Sequence, residues 1–192
     1  MRRPDGRRRG LAVTALLLLL VAGGLAHARD TAGAARGVGT PVGDAELRRF
    51  LAVPPDGAGL PPGGGTVAAG EAVFGARCAS CHGDNLGGTK AIGAPALIGG
   101  RGSLAGPSPV KTVESYWPYA TTLFDYVRRA MPMDAPGSLG DDEVYAVSAY
   151  ILSRAGIAVP AAGLDAATLP AVQMPNRNGF VADYRPGLPL HH

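Results

Sequence analysis

Two cysteines three positions apart constrain this chain more than any other feature of its sequence. They lie in the stretch C-A-S-C-H, residues 78–82, and no other cysteine occurs among the 192 residues. Two thiols at this spacing can form a short disulfide, act as a redox pair, contribute to a zinc site, or attach a haem. Each of these uses requires a different environment around residues 78–82. Deciding between them therefore limits which folds and functions are possible for the chain.

The C-x-x-C-H spacing favours haem attachment over the other three interpretations. Two thiols add across the vinyl groups on one edge of the porphyrin, and the imidazole of the next residue reaches the iron. A thioredoxin-like pair follows a strand, and the chain has no alternating strand pattern. A zinc site needs four ligands, and a disulfide closing so small a loop stabilises little. We therefore predict one haem c, attached through Cys78 and Cys81, with His82 as proximal ligand.

The first 28 residues have the pattern of a cleavable secretory signal. Arginines precede an apolar run from Leu11 to about Val21, and the small-residue sequence A-H-A ends at Ala28. An uncleaved membrane anchor is the alternative, although the apolar run is shorter than the roughly 20 residues that a spanning helix needs. We expect cleavage after Ala28 and export to the periplasm.

Removal of this signal changes the charge of the chain. The whole sequence has 18 Lys and Arg against 15 Asp and Glu, a formal net charge of +3. Residues 1–28 hold five of the basic and one of the acidic residues, which leaves 13 against 14, or −1. No basic excess remains to suggest nucleic acid as a partner.

Composition divides the remaining chain into a helical domain between two arms rich in Gly and Pro. We predict an N-terminal arm over residues 29–65, a domain over 66–157 and a C-terminal arm over 158–192. One amphipathic helix is expected in the N-terminal arm, from Asp44 to Val53. The arms are expected to lie along a larger partner, and wrapping around their own domain is the alternative.

Three helices are predicted inside the domain. Thr66 is placed to cap the first, which runs into the cysteines. The second starts at Thr121 or Thr122 and ends at Ala130, and the third runs from Asp141 to Ala155. The turn-rich stretch 83–120 is expected to form a long ordered loop around a large cofactor.

The sixth iron ligand is expected to be a methionine, because a Met/His pair raises the potential of an electron acceptor. Met131 stands in the sequence R-R-A-M-P-M, directly after the second helix, and is our preferred ligand. Met133 and Met174 stay open, since spacing does not exclude them and methionine often fills gaps in a core. A bis-histidine site using His191 or His192 is a further alternative.

These residues resemble a class I cytochrome c over about residues 66–157. The resemblance is carried by C-x-x-C-H-G after a helix, P-A-L-I-G-G downstream, M-P, and the helix D-D-E-V-Y-A-V-S-A-Y-I-L. It implies an all-α fold in which the first and last helices cross near Gly70, Phe74 and Tyr150. It also implies that the carbonyl of Pro95 accepts a hydrogen bond from His82 Nδ1.

A narrower resemblance runs from about Val53 to Phe180. The stretches G-L-P-P-G-G-G-T-V, K-T-V-E-S-Y-W-P-Y-A-T-T-L-F and T-L-P-A-V-Q-M-P-N-R-N-G-F are similar to cytochrome c subunits of periplasmic sulfite dehydrogenase and of Sox-type sulfane dehydrogenase. The Sox-type relative commonly carries a second haem domain. This chain has one C-x-x-C-H, which brings it closer to the sulfite dehydrogenase subunit or to a truncated form.

The resemblance implies an electron-transfer subunit rather than an enzyme, with catalysis on a separate molybdopterin subunit and a downstream cytochrome or oxidase as acceptor. The aromatic side chains of this region are candidates to pack on the haem edge, and Trp117 N–H, a Tyr hydroxyl and Arg101 are candidate partners of a haem propionate; a plain core or surface role is an equal alternative for each. The residues that could serve are Arg101, Tyr116, Trp117 and Tyr119.

Three other functions stay open from the sequence. A free-standing cytochrome shuttle would purify alone. A haem sensor or ligand-activating enzyme would bind carbon monoxide at an open iron site. A thiol–disulfide oxidoreductase would have titratable thiols at Cys78 and Cys81.

Overall fold

The computed structural model describes residues 40–44, 46–47 and 52–181, which belong to two units divided after Phe50. In the first unit Asp44, Glu46 and Leu47 are helical; the remaining residues of the predicted helix up to 51 lie outside the described part, and Ala52 and Val53 are not helical. The signal region and both terminal histidines also lie outside it. The second unit contains all further elements named below.

Helix α1, Val67–Arg77, begins where the sequence predicted. Thr66 caps it, its hydroxyl accepting a hydrogen bond from Ala69 N–H at 3.2 Å. The helix ends at Arg77, directly before the first cysteine, and a separate short helix, α2, follows at Ala79–His82.

Helix α3, Ala120–Ala130, starts slightly earlier than predicted, and helix α4, Asp141–Arg154, matches its predicted start. The first turn of α4 holds three acids, which favour the positive end of the helix dipole. The carboxylate of Glu143 also accepts a hydrogen bond from Gly140 N–H at 2.8 Å. Gly156, with φ of 67°, follows the end of the helix.

The core forms where α1 crosses α4. Gly70 lets the two backbones approach, since a Cβ there would lie 2.8 Å from the Tyr150 Cβ and would overlap the Ala146 carbonyl. The rings of Phe74 and Tyr150 pack beside this crossing with centroids 5.2 Å apart. The expected crossing at Gly70, Phe74 and Tyr150 is therefore present.

The described parts of the two arms within the second unit, residues 52–65 and 158–181, contact the domain. Strand β1, Gly64–Gly65, pairs antiparallel with strand β2, Leu164–Asp165, although the sequence showed no strand pattern. Strands this short have no room for an alternating pattern, so backbone pairing of the two arms left no signal. The fold is nevertheless mostly α, as predicted.

The hydrophobic core continues past the expected domain boundary at residue 157. Leu164, Leu169, Val172 and Met174 are all buried in it, although they belong to the predicted C-terminal arm. Leu169 is the first residue of the short 3-10 turn Leu169–Ala171. Burying such side chains contributes about 1.5–3 kcal/mol each, which holds the arm against the helices.

Within the described residues, none of the helices is both long enough and apolar enough to cross a membrane.

Tyr145 links the N-terminal arm to α4, and we expect Tyr145→Phe to lower the free energy of unfolding by about 1 kcal/mol. Its hydroxyl donates to the Pro61 carbonyl at 2.8 Å. Burial, reinforced by the carboxylates of Asp141 and Asp165, raises the pKa of Tyr145 to about 12. Between pH 10 and pH 12 the unfolded chain loses the phenolic proton of Tyr145, whereas the folded chain keeps it. The stability of the wild type therefore falls as pH rises from 10 to 12.

Chemical denaturation of both proteins between pH 8 and pH 12 checks this expectation. The wild type should be the more stable protein below pH 10 and should lose that advantage towards pH 12, since phenylalanine does not titrate. A constant difference across the whole range would contradict the assigned pKa.

Candidate haem site

The C-x-x-C-H stretch forms one tight helical turn. The N–H groups of Cys81 and His82 both bond to the Cys78 carbonyl, at 3.1 and 2.9 Å. The two thiols are not joined to each other; Cys78 is half-buried against the core and Cys81 is exposed. Both sulfurs and the imidazole thus come from a single short segment, as attachment to one edge of a porphyrin requires.

The environment of Cys78 does not favour dithiol redox chemistry. Burial raises the pKa of its thiol to about 11, an effect only partly offset by the Arg77 guanidinium. Because the thiolate is the reactive form in thiol–disulfide exchange, a thiol so rarely ionised near neutral pH is a poor nucleophile. This observation counts against the thiol–disulfide oxidoreductase interpretation.

His82 is fixed by its hydrogen bond to Pro95. The Nδ1 atom lies 2.9 Å from the Pro95 carbonyl oxygen, as the resemblance implied. A carbonyl oxygen can only accept, so Nδ1 must carry the proton and the lone pair is on Nε2. The ring is therefore held in the tautomer that leaves Nε2 free to bind iron, and the bond increases its basicity as a ligand.

The loop that follows His82 positions the Pro95 carbonyl. Thr89 and Ala94 form an antiparallel bridge around the 3-10 turn Lys90–Ile92, which reverses the chain. Leu97 N–H bonds back to the Leu86 carbonyl at 2.9 Å, and Leu86 is fully buried with a φ of 58°. Gly88 is needed here, since a Cβ would lie 2.5 Å from the Pro95 carbonyl carbon.

Sequence reasoning did not identify Leu86 and Gly88 as positioning residues. The stretch G-D-N-L-G-G indicates a turn, but the contact that matters joins it to residues 95–97. A turn signal gives local chain reversal only, whereas this contact depends on how two separate turns pack.

Burial separates the three candidate methionines. Met131 terminates α3 and is half-buried, packing against the core. The side chain of Met133 is 79% exposed, and that of Met174 is only 4% exposed among apolar neighbours. A half-buried thioether at the core margin suits a ligand on an enclosed cofactor, so Met131 stays our prediction, whereas Met174 fills the core.

The aromatic segment 116–119 lies against α3. Trp117 is half-buried, with its ring edge-on to Tyr126 and the centroids 5.7 Å apart. Its indole N–H makes no hydrogen bond among the described residues, so its predicted role towards a propionate stays a prediction.

Arg101, by contrast, is engaged within the protein. Its Nε bonds to Glu114 at 3.0 Å, and its terminal nitrogen donates to the Ala155 carbonyl at 2.8 Å, just past the end of α4. Glu114 also accepts from Gly99 N–H at 2.6 Å. The guanidinium therefore fastens the 99–114 loop to the last helix, which fits the plain structural role left as the alternative, and a role towards a propionate stays a prediction.

A mostly helical fold that carries a C-x-x-C-H turn, with the histidine ring fixed by a proline carbonyl, is the fold of a c-type cytochrome. The cytochrome c family model matches residues 67–155. Among solved structures, a chain of the sulfane dehydrogenase SoxCD from Paracoccus pantotrophus is 42% identical with a TM-score of 0.69; the match covers 78% of this chain and 73% of that chain. A search of curated proteins found no significant match.

The chain belongs to the cytochrome c family: it carries covalently bound haem c and transfers electrons. The residues present fit that group. The two cysteines are free to form thioethers. In the tautomer of His82 that carries its proton on Nδ1, Nε2 is available for iron. Half-buried Met131 stays our prediction for the second donor expected of an electron carrier.

Cysteine variants test the attachment directly. We expect Cys81→Ala to keep haem bound through one thioether, with an unsaturated vinyl group that moves the α band of the pyridine haemochrome to longer wavelength. Changing both cysteines to alanine should release haem when the protein is denatured. Ser80→Ala, an exposed neighbour in the same turn, is the matched control and should leave the spectrum unchanged. Haem that survives denaturation in the double variant would contradict the assignment.

Proposed function

We propose that this chain is the electron-accepting cytochrome subunit of a periplasmic dehydrogenase that oxidises a sulfur compound, sulfite or sulfane sulfur. One observation supports this more than any other. The likeness to the SoxCD chain spans 78% of the sequence, whereas the family model matches only residues 67–155. The shared sequence therefore includes part of the arms, which a general electron-carrying domain does not need.

Each ligand-bearing residue has a distinct role in this proposal. Bound haem supplies an iron centre that takes up and releases one electron at a time. Cys78 and Cys81 hold it covalently, and His82 presents Nε2 while the Pro95 carbonyl fixes its ring. Met131, at the margin of the core, would supply the second iron ligand, and Trp117 is the candidate donor to a propionate.

Catalysis belongs to a separate subunit in this proposal. The oxidation of sulfite to sulfate releases a pair of electrons at once, whereas one haem accepts them singly. A molybdopterin subunit that performs the oxidation would reduce this chain in two successive steps. The chain would pass each electron to a downstream cytochrome or oxidase before accepting the next.

Isolation of the native protein tests the proposal. We would purify it under mild conditions from a periplasmic extract, measure molybdenum against iron, and follow the haem α band after adding sulfite or a sulfane-sulfur donor. Stoichiometric molybdenum and rapid haem reduction are expected. Dithionite reduction of the same sample gives the full amplitude and serves as control.

The outcome also separates the competing functions. An iron-only protein that sulfur compounds leave oxidised would overturn the proposal and favour the free-standing shuttle. Carbon monoxide binding to the reduced wild type at neutral pH would favour a sensor or ligand-activating enzyme, because it requires an open iron position.

A further inference from the structure

The end of the described chain returns to the aromatic segment 116–119. The side-chain amide of Asn176 donates to the Tyr116 carbonyl at 2.7 Å, and the ring of Phe180 packs edge-on to Tyr116 with centroids 5.2 Å apart. Met174, with only 4% of its side chain exposed, anchors this returning segment in the core. The segment is thus held in place by both polar and apolar contacts.

Two cations lie over the aromatic rings of this region. The ammonium of Lys111 lies 5.2 Å from the centre of the Tyr116 ring, and the guanidinium of Arg177 lies 5.4 Å from that of Tyr119. The ion pairs found within the described residues use Arg101, Arg128 and Arg129 instead. The two stacked cations are therefore oriented by rings while their charge is not neutralised by a carboxylate in the described part.

Exposed apolar side chains border these cations. Val110 is 46% exposed and Phe180 is 51% exposed, and Val181, after Phe180, is 90% exposed. We call the set the aromatic–cationic face, and its members are Val110, Lys111, Tyr116, Tyr119, Arg177 and Phe180. Aromatic rings and arginine are enriched in protein interfaces, whereas an exposed Phe beside pre-oriented charges has no evident use in an isolated carrier.

Part of this face lies outside the cytochrome c domain. Arg177 and Phe180 follow the end of the family match at residue 155, in the C-terminal segment. The face contains no residue of the haem-attachment turn 78–82 or of the Met131–Met133 loop. Substitutions on it therefore leave every proposed iron ligand in place.

We propose that the aromatic–cationic face is the surface by which the dehydrogenase partner holds this chain. This inference rests on the proposed function, because it requires such a partner. The complementary surface on the dehydrogenase would present carboxylates to Lys111 and Arg177 and an apolar depression to Phe180. Cations pre-oriented by rings lose little freedom when they bind carboxylates, which favours a stable complex.

Charge reversal on this face tests the inference. The haem-loaded full chain, as wild type or Lys111→Glu/Arg177→Glu, would be titrated with the dehydrogenase subunit that co-purifies with the wild type. We expect the double variant to bind at least about 100-fold more weakly, since two attractive contacts become repulsive. Salt should weaken the wild-type complex and should not weaken that of the variant.

Two further variants make the result specific. Lys111→Arg/Arg177→Lys preserves both charges and both ring contacts, and should bind nearly as well as the wild type. Phe180→Ala should weaken binding about 10-fold and leave the salt dependence intact. All variants should keep the wild-type haem spectrum and reduction potential, which shows that the domain is folded.

The possible results separate this inference from the proposed function. A wild type that binds the dehydrogenase, together with a charge-reversed variant of equal affinity, would overturn the docking surface alone. A wild type that never carries a dehydrogenase would overturn both. Self-association of the wild type that charge reversal abolishes would assign the face to a second copy, and would also overturn the inference.

Discussion

Replacing Met131 with histidine should lower the reduction potential of this cytochrome by on the order of 0.2 V. A neutral thioether stabilises the reduced iron, whereas a second imidazole donates more strongly and stabilises the oxidised iron. Met131 is the methionine whose half-buried position at the end of α3 suits this role. Redox titration of the purified holoprotein, followed at the haem α band, measures the shift.

Met133→His is the matched control, because it makes the same chemical change two residues away. The side chain of Met133 is 79% exposed, so we expect a potential within a few hundredths of a volt of wild type. Met174→Leu, in the core, should change stability more than potential. A large shift in the Met133 variant with none in the Met131 variant would reverse our ligand assignment.

The cofactor of this site could be predicted from the sequence, whereas the choice of methionine ligand could not. The motif C-x-x-C-H fixes the cofactor because thioether attachment and proximal ligation both depend on local spacing. The choice between Met131 and Met133 depends on which side chain faces the core, and spacing alone does not decide it. The structure adds burial, which favours Met131.

The fold shows the same division between local and distant contacts. Helix α4 could be predicted from its acidic first turn and apolar stripe, and Val144, Val147 and Ile151 are buried as expected. Every residue of 144–152 is nevertheless buried, including Tyr145 and Ser148 outside that stripe. The paired arms contribute to covering the second face, for example through Gly65 against Ala146 and Pro61 against Tyr145, and such contacts between distant segments leave no periodic pattern.

Arg101 illustrates a different limit. The sequence left Arg101 as one candidate partner of a haem propionate, with a plain core or surface role as the alternative. The structure instead shows that Glu114 and the Ala155 carbonyl bind it. Helix C-termini carry unpaired carbonyls that attract cations, so an arginine whose loop passes α4 satisfies them.

A substitution at the crossing of α1 and α4 is expected to have the largest effect on stability. Gly70→Ala should lower the free energy of unfolding by about 3 kcal/mol and the Tm by about 10 °C, because the added methyl group meets backbone atoms that cannot rotate away. The Ala146 carbonyl is part of α4, and the Tyr150 Cβ lies 2.8 Å from the added carbon. Relief requires the two helices to move apart, which also loosens the packing of Phe74 on Tyr150.

Gly75→Ala provides the control within the same helix. A Cβ at Gly75 meets nothing within 4 Å, and the residue lies on the exposed side of α1. Alanine favours helix over glycine by about 1 kcal/mol, so this variant should be slightly more stable than the wild type. Thermal unfolding of the two holoproteins should therefore move in opposite directions. If both substitutions stabilised the protein, α1 would not approach α4 as closely as Gly70 permits, because only backbone contact at the crossing distinguishes the two positions.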